Sequence, residues 1–179
     1  MLRRATSLIA LVALLDAPAA AQDRRTTGVK TLAPAGAIKP TGTWGLATRA
    51  GEFVFIAGMR GIDPKTNTLV VGEEARVRQA FLNMKMIVES EGASLRDAVR
   101  LVVYVTVMFR FRPIVNKVQA ELWGQGPYPP RTIVEVHRLN QDDIVQVEGT
   151  FYASTRTGAG AQSDAAPSPP NVSGGETRR

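Results

Sequence analysis

Between residues 41 and 153 apolar positions recur with two different spacings, and each switch between them marks an element. Phe53-Val54-Phe55-Ile56-Ala57 is β-branched and aromatic and stops at Gly58, which predicts a strand. Trp44–Thr48 reads as a strand before it, with a turn at Gly51, and Asp63–Asn67 as a further turn. From Glu73 to Glu91 the period becomes helical: Val77, Phe81, Met84 and Val88 follow i, i+4, i+7 and i+11, and Ala80 and Ile87 widen the stripe. Glu73 and Glu74 suit the positive end of that helix, and Gly92 can take the left-handed residue just past its end. Leu101–Met108 is an unbroken apolar run, expected to be a central strand. Pro113 reads as opening a second helix, where a missing N–H does no harm. Ile114, Val115, Val118 and Leu122 form its apolar face, and Gly124 stops it. Thr132–Leu139 and Ile144–Ala153 read as two last strands, joined as a hairpin by Asn140-Gln141-Asp142-Asp143.

The predicted order is β-β-α-β-α-β-β, an α+β fold with two helices on one face of a mixed sheet. In the last strand Val145, Val147, Gly149 and Phe151 share one side, and Ile144, Gln146, Glu148, Thr150 and Tyr152 share the other. Neither side is simply polar. One is expected to pack on the helices and the other on a neighbouring subunit.

The ends differ from this core. Arg3 and Arg4, the apolar run Ala5–Leu15 and Ala19-Ala20-Ala21 together predict a secretory signal over 1–21, and hence export to a periplasm or the exterior. That run is too short for a stable membrane anchor, which needs about 20 apolar residues. Residues 22–40, broken by Gly28, Pro34, Gly36 and Pro40, read as a flexible linker; 154–179 reads as a disordered tail. The formal charge of +6 is concentrated at these ends, because residues 41–153 hold 13 basic and 12 acidic side chains. A nearly neutral core without an aromatic-basic stripe argues against a phosphate-tracking groove, so no nucleic-acid partner is expected. With no cysteine and one histidine, thiol catalysis is excluded and a zinc site is not expected.

The most informative stretch is Gly126-Pro127-Tyr128-Pro129-Pro130-Arg131-Thr132-Ile133-Val134-Glu135-Val136. It delivers an arginine at the mouth of a strand after a rigid proline turn. Ile144-Val145-Gln146-Val147-Glu148-Gly149 then carries a carboxylate among apolar neighbours. A fixed guanidinium and a partly desolvated carboxylate on adjacent strands would suit holding a small carboxylic acid and steering water at it. Read from the residues alone, Arg131 could equally be a structural ion pair with Glu135 or Asp142, and Glu148 could pair an arginine across a subunit seam. His137, near the end of its strand, reads as a surface residue.

The core resembles the Rid/YjgF family of reactive-intermediate deaminases, also described as endoribonuclease L-PSP-like. The resemblance covers about 41–153 and rests on Phe53–Gly58, Ala75–Gly92, Val115-Asn116, Tyr128–Val136 and Val147-Glu148-Gly149. It implies a chorismate-mutase-like fold, a homotrimer, and sites in clefts between subunits. It further implies a hydrolytic deaminase of 2-enamine and 2-imine acids giving a 2-keto acid and ammonia, with no cofactor and no metal. By the same resemblance Arg131 binds the substrate carboxylate, Glu148 positions the water, and Trp44, Gly58, Ile133 and Asn116 line the cleft. Three positions depart from the family's pattern: Trp44 stands where a tyrosine is common, Ala57 where a serine is, and Ile133 where a cysteine is. The cleft is therefore expected to be more apolar than usual. Those losses also motivate a second reading, a trimer that binds small carboxylates or acts as a chaperone without turnover.

Overall fold

The computed structural model describes residues 28–154; the expected signal segment and C-terminal tail lie outside the described residues. The strands are β1 (Val29–Leu32), β2 (Ala47–Ala50), β3 (Phe53–Met59), β4 (Ile62–Asp63), β5 (Thr68–Leu69), β6 (Ala98–Val105), β7 (Arg131–Glu135) and β8 (Val145–Tyr152). The helices are α1 (Glu73–Ser90) and α2 (Met108–Trp123). Six strands form one sheet in the order β1-β2-β3-β8-β6-β7, and β4 and β5 form a separate ribbon. Both helices cover one face of a mixed sheet, as the sequence predicts. Val77, Ala80, Phe81, Met84, Ile87 and Val88 of α1 are fully buried against Val54, Leu101, Val103, Val147 and Phe151 of the sheet.

α1 ends as predicted. Gly92 has a φ of 78°, and the N–H groups of Gly92 and Ala93 close onto the carbonyls of Glu89 and Val88. That is the paired bonding that left-handed glycine caps provide.

Three expectations need correction. Residues 28–40 are not a linker: β1 pairs antiparallel with β2, and Leu32 and Ile38 join the core. Isolated apolar residues among glycines and prolines carry no periodicity, so only the pairing reveals the strand. α2 begins at Met108, five residues before Pro113, which lies inside it. Val107 offers no capping side chain, and instead Glu135 of β7 accepts the Met108 N–H at 2.6 Å. This cap comes from another element, so local sequence cannot show it. Last, β7 and β8 are not a hairpin. β7 ends at Glu135 and pairs in parallel with β6 at the sheet edge, whereas β8 runs antiparallel between β3 and β6. Asn140–Asp142 is a short 3-10 turn within a crossover, not the tip of a hairpin.

Among the described residues nothing covers the face away from the helices, and its β3 end carries an aromatic cluster. Phe53, Phe55 and Tyr152 are exposed there, with Tyr152 set edge-on to Phe53 at 5.8 Å between ring centroids. Such a contiguous apolar surface is characteristic of a protein–protein contact.

Candidate functional site

Arg131 opens β7 directly after Pro129-Pro130, and its guanidinium is held by two amides of α2. Nη1 donates to Gln119 Oε1 at 2.6 Å and Nη2 to Asn116 Oδ1 at 2.7 Å. Asn116 and Gln119 are one helical step apart on one face of α2 and meet the same fork. Both partners are neutral, so the charge of Arg131 is oriented but not neutralised. Burial, and then the nearby positive charge of Arg112, pull its pKa below the ordinary arginine value. With Ala120, Tyr128 and Pro129 these residues line an open cavity of about 420 Å³. That lies within the range of about 300–1,000 Å³ usual for small-ligand pockets. Ile133, two residues on, lies half-buried on the same side of β7, and His137 is exposed, as expected.

Glu148 lies elsewhere. β6 runs between its strand and that of Arg131: Leu101 pairs with both Arg131 and Gly149, and Val102 with both Thr132 and Glu148. Paired residues project to the same face and successive residues to opposite faces. Arg131 therefore projects with the buried Leu101 toward the helices, and Glu148 with Val102 toward the uncovered face. The two are not on adjacent strands, and among the described residues they line separate cavities. Glu148 lines a hollow of about 200 Å³ with Phe55, Arg100, Val102 and Thr150. Tyr104, from the same face of β6, donates its hydroxyl to Glu148 Oε1 at 3.2 Å. Burial first, then the charge of Glu148, raise the Tyr104 pKa, so the phenol stays a donor at neutral pH.

Trp44 and Gly58 line a third hollow, of about 290 Å³, with Ala57, Arg60, Asn140 and Gln146. Gln146 shares the sheet face of Glu148, two residues away. Its side chain occupies the space that a β-carbon on Gly58 would need, 2.0 Å from Nε2. Arg60, buried, donates to the Asn140 carbonyl at 2.7 Å and to Gln141 Oε1 at 3.0 Å, and so fixes the turn that forms this rim. The predicted residues thus sort into two groups. Arg131, Asn116 and Ile133 lie at the β7 edge on the helix side; Glu148, Trp44 and Gly58 lie on the uncovered side.

Residues 34–154, well over half of the chain, match the family described as endoribonuclease L-PSP. The chain belongs to that family, the Rid/YjgF proteins. A RutC family protein of Pyrococcus horikoshii is 41% identical over 117 residues, which are 65% of this chain and 91% of that one. A Dermatophagoides farinae protein named 2-iminobutanoate/2-iminopropanoate deaminase is 34% identical over 63% of this chain and 87% of its own. The solved structure of a Rhodopseudomonas palustris protein, described as a probable translation initiation inhibitor, is 52% identical. It superposes with a TM-score of 0.68 over 70% of this chain and 98% of that one. Membership of the Rid/YjgF family agrees with the fold seen here, two helices on one face of a mixed sheet.

Gln119 and Tyr104 escaped the sequence reading. Gln119 was legible in part, because a glutamine beside Val118 on an amphipathic helix lies at the core boundary, where a buried amide needs a partner. Tyr104 sat inside an apolar run. Only the strand parity shows that its hydroxyl meets Glu148.

Proposed function

We propose that this Rid/YjgF protein hydrolyses small 2-imino carboxylic acids, and that each site is shared by two subunits of a homotrimer. The observation that carries this reading is Arg131, an oriented guanidinium at an open edge whose side-chain partners among the described residues are two amide oxygens. Such a fork suits a carboxylate, which it can grip with two parallel hydrogen bonds. The deaminase name of a relative at 34% identity supports the imine as substrate.

The opposite orientation of Arg131 and Glu148 gives the shared site its physical reason. A neighbour must bring its uncovered face, with Glu148, Trp44 and Gly58, against the β7 edge of the first subunit. The exposed Phe53, Phe55 and Tyr152 supply the apolar contact for that assembly. Arg131 of one subunit holds the carboxylate, while Glu148 of the next accepts a proton from water as its oxygen bonds to the imine carbon. That proton passes to the nitrogen; Glu148 then takes the hydroxyl proton of the carbinolamine as the carbonyl forms and the C–N bond breaks, and ammonia and a 2-keto acid leave. An iminium carbon is already electrophilic, so orientation and one proton relay are sufficient.

The test generates 2-iminopropanoate in situ with an amino-acid oxidase and follows keto acid and ammonia. Wild type is expected to accelerate their release, and Arg131→Ala to lose the acceleration. If wild type adds nothing to the rate in buffer, the deaminase reading fails. Saturable binding of 2-keto acids without turnover would then favour the non-catalytic binder.

A further inference from the structure

Resting on that reading, and narrowing its substrate class, we propose that Arg112 is a second anion contact of the Arg131 site. By this inference the protein prefers 2-imino acids with a second carboxylate, the imines of amino dicarboxylic acids.

The placement follows from two anchors between α2 and β7. At one end Asn116 and Gln119 hold Arg131; at the other the Met108 N–H is held by Glu135. The helix and strand therefore run antiparallel, with Met108 level with Glu135 and Asn116 level with Arg131. Eight helical residues rise about 12 Å, and four strand residues about 13 Å, so the two elements keep step between the anchors. Arg112 is midway along this span and thus level with Ile133. It precedes Asn116 by four residues and Gln119 by seven, which puts all three on one side of α2. The helix face that orients Arg131 accordingly carries a second guanidinium one turn away, on the side of Ile133.

Among the described residues this second cation has no counter-charge. Arg112 is exposed and, among the described residues, forms no ion pair. Glu135, on the facing strand, caps α2, and Glu73 pairs with Arg110. Among the described residues Arg131 likewise meets no carboxylate. Two guanidinium groups one helical turn apart repel each other unless an anion lies between or across them. A substrate with a single carboxylate compensates one of them, and a diacid compensates both. The four residues from Arg112 to Asn116 rise about 6 Å, close to the length of a five-carbon diacid. Ile133, level with Arg112, can pack against the methylenes between the two carboxylates.

The test compares 2-iminoglutarate, made in situ from glutamate by a glutamate oxidase, with 2-iminopropanoate. Wild type is expected to favour the diacid imine. Arg112→Ala should lower the ratio of the two kcat/KM values about tenfold, as loss of one charge-assisted contact would. Arg112→Lys should restore part of that ratio. The preference should also shrink as salt rises, because the contact is exposed. Calorimetric binding of 2-oxoglutarate against 2-oxobutanoate reads the same preference without turnover. Selective binding of 2-oxoglutarate that depends on Arg112 upholds the diacid contact even if no imine is hydrolysed, in which case only the deaminase reading falls. A diacid-to-monoacid ratio that is the same in wild type and Arg112→Ala, in rate and in binding, overturns the proposal.

Discussion

Because Arg131 and Glu148 project from opposite faces of the same sheet, two inactive variants should rescue each other when mixed. The perturbation is a pair, Arg131→Ala and Glu148→Gln, each expected to abolish imine hydrolysis alone. In a trimer with shared sites, every site takes Arg131 from one subunit and Glu148 from the next. After equimolar co-refolding, a given subunit keeps its arginine with probability one half. Its neighbour independently keeps its glutamate with probability one half. About one quarter of sites are then intact, so the mixture should recover about a quarter of wild-type kcat per site. The other three site types each lack at least one partner and contribute nothing. Mixing without refolding should restore activity only as fast as subunits exchange. The assay is the coupled oxidase reaction, and mass spectrometry of tagged variants verifies that mixed trimers have formed. Were both groups to act from one chain, no mixture could contain an intact site. Mixed trimers with no recovered turnover, alongside an active wild type refolded in parallel, would refute the shared site.

Tyr104→Phe removes the hydroxyl that donates to Glu148 at 3.2 Å. It should lower kcat about three- to tenfold with little change in KM, since the lost bond positions Glu148, the proposed water-directing group, and not the carboxylate; a change confined to KM would contradict this. Gly149→Ala places a β-carbon 2.7 Å from Phe151 and 3.0 Å from Leu101. Overpacking of this kind costs about 1–3 kcal/mol, measurable as a lower urea midpoint at unchanged slope. Gly61→Ala should be at least as damaging, because its β-carbon meets the Arg76 backbone oxygen at 2.5 Å and backbone does not yield. Asp143 is almost fully buried, and burial raises its carboxyl above the ordinary 3.8, despite the Ile144 N–H and the charges of Arg76 and Arg60. A raised carboxyl pKa means that the folded state binds the proton more tightly, so its contribution is present at low pH and lost as pH rises through the folded value. Wild type should therefore lose stability relative to Asp143→Asn as pH climbs from about 4, in urea titrations; the opposite slope would refute the assignment.

The local patterns of this chain were decided by its sequence. The stripe of α1 and its glycine end were legible because helical period and left-handed glycine are properties of neighbouring residues. So was the inward set Val145, Val147, Gly149 and Phe151, since strand parity needs no partner. Arg131 and Glu148 could be singled out by chemistry and by resemblance. What sequence could not decide was which strands lie side by side. Reading Arg131 and Glu148 as neighbours followed from a hairpin that does not exist; the parallel pairing of β7 with β6 puts a strand between them and turns them to opposite faces. The same limit hid β1, the cap that Glu135 gives to α2, and the alignment of Arg112 with Arg131. Each depends on contacts between residues far apart in the chain, where the entropy of closing the loop and the burial gained on pairing select one arrangement among several that local preference allows equally.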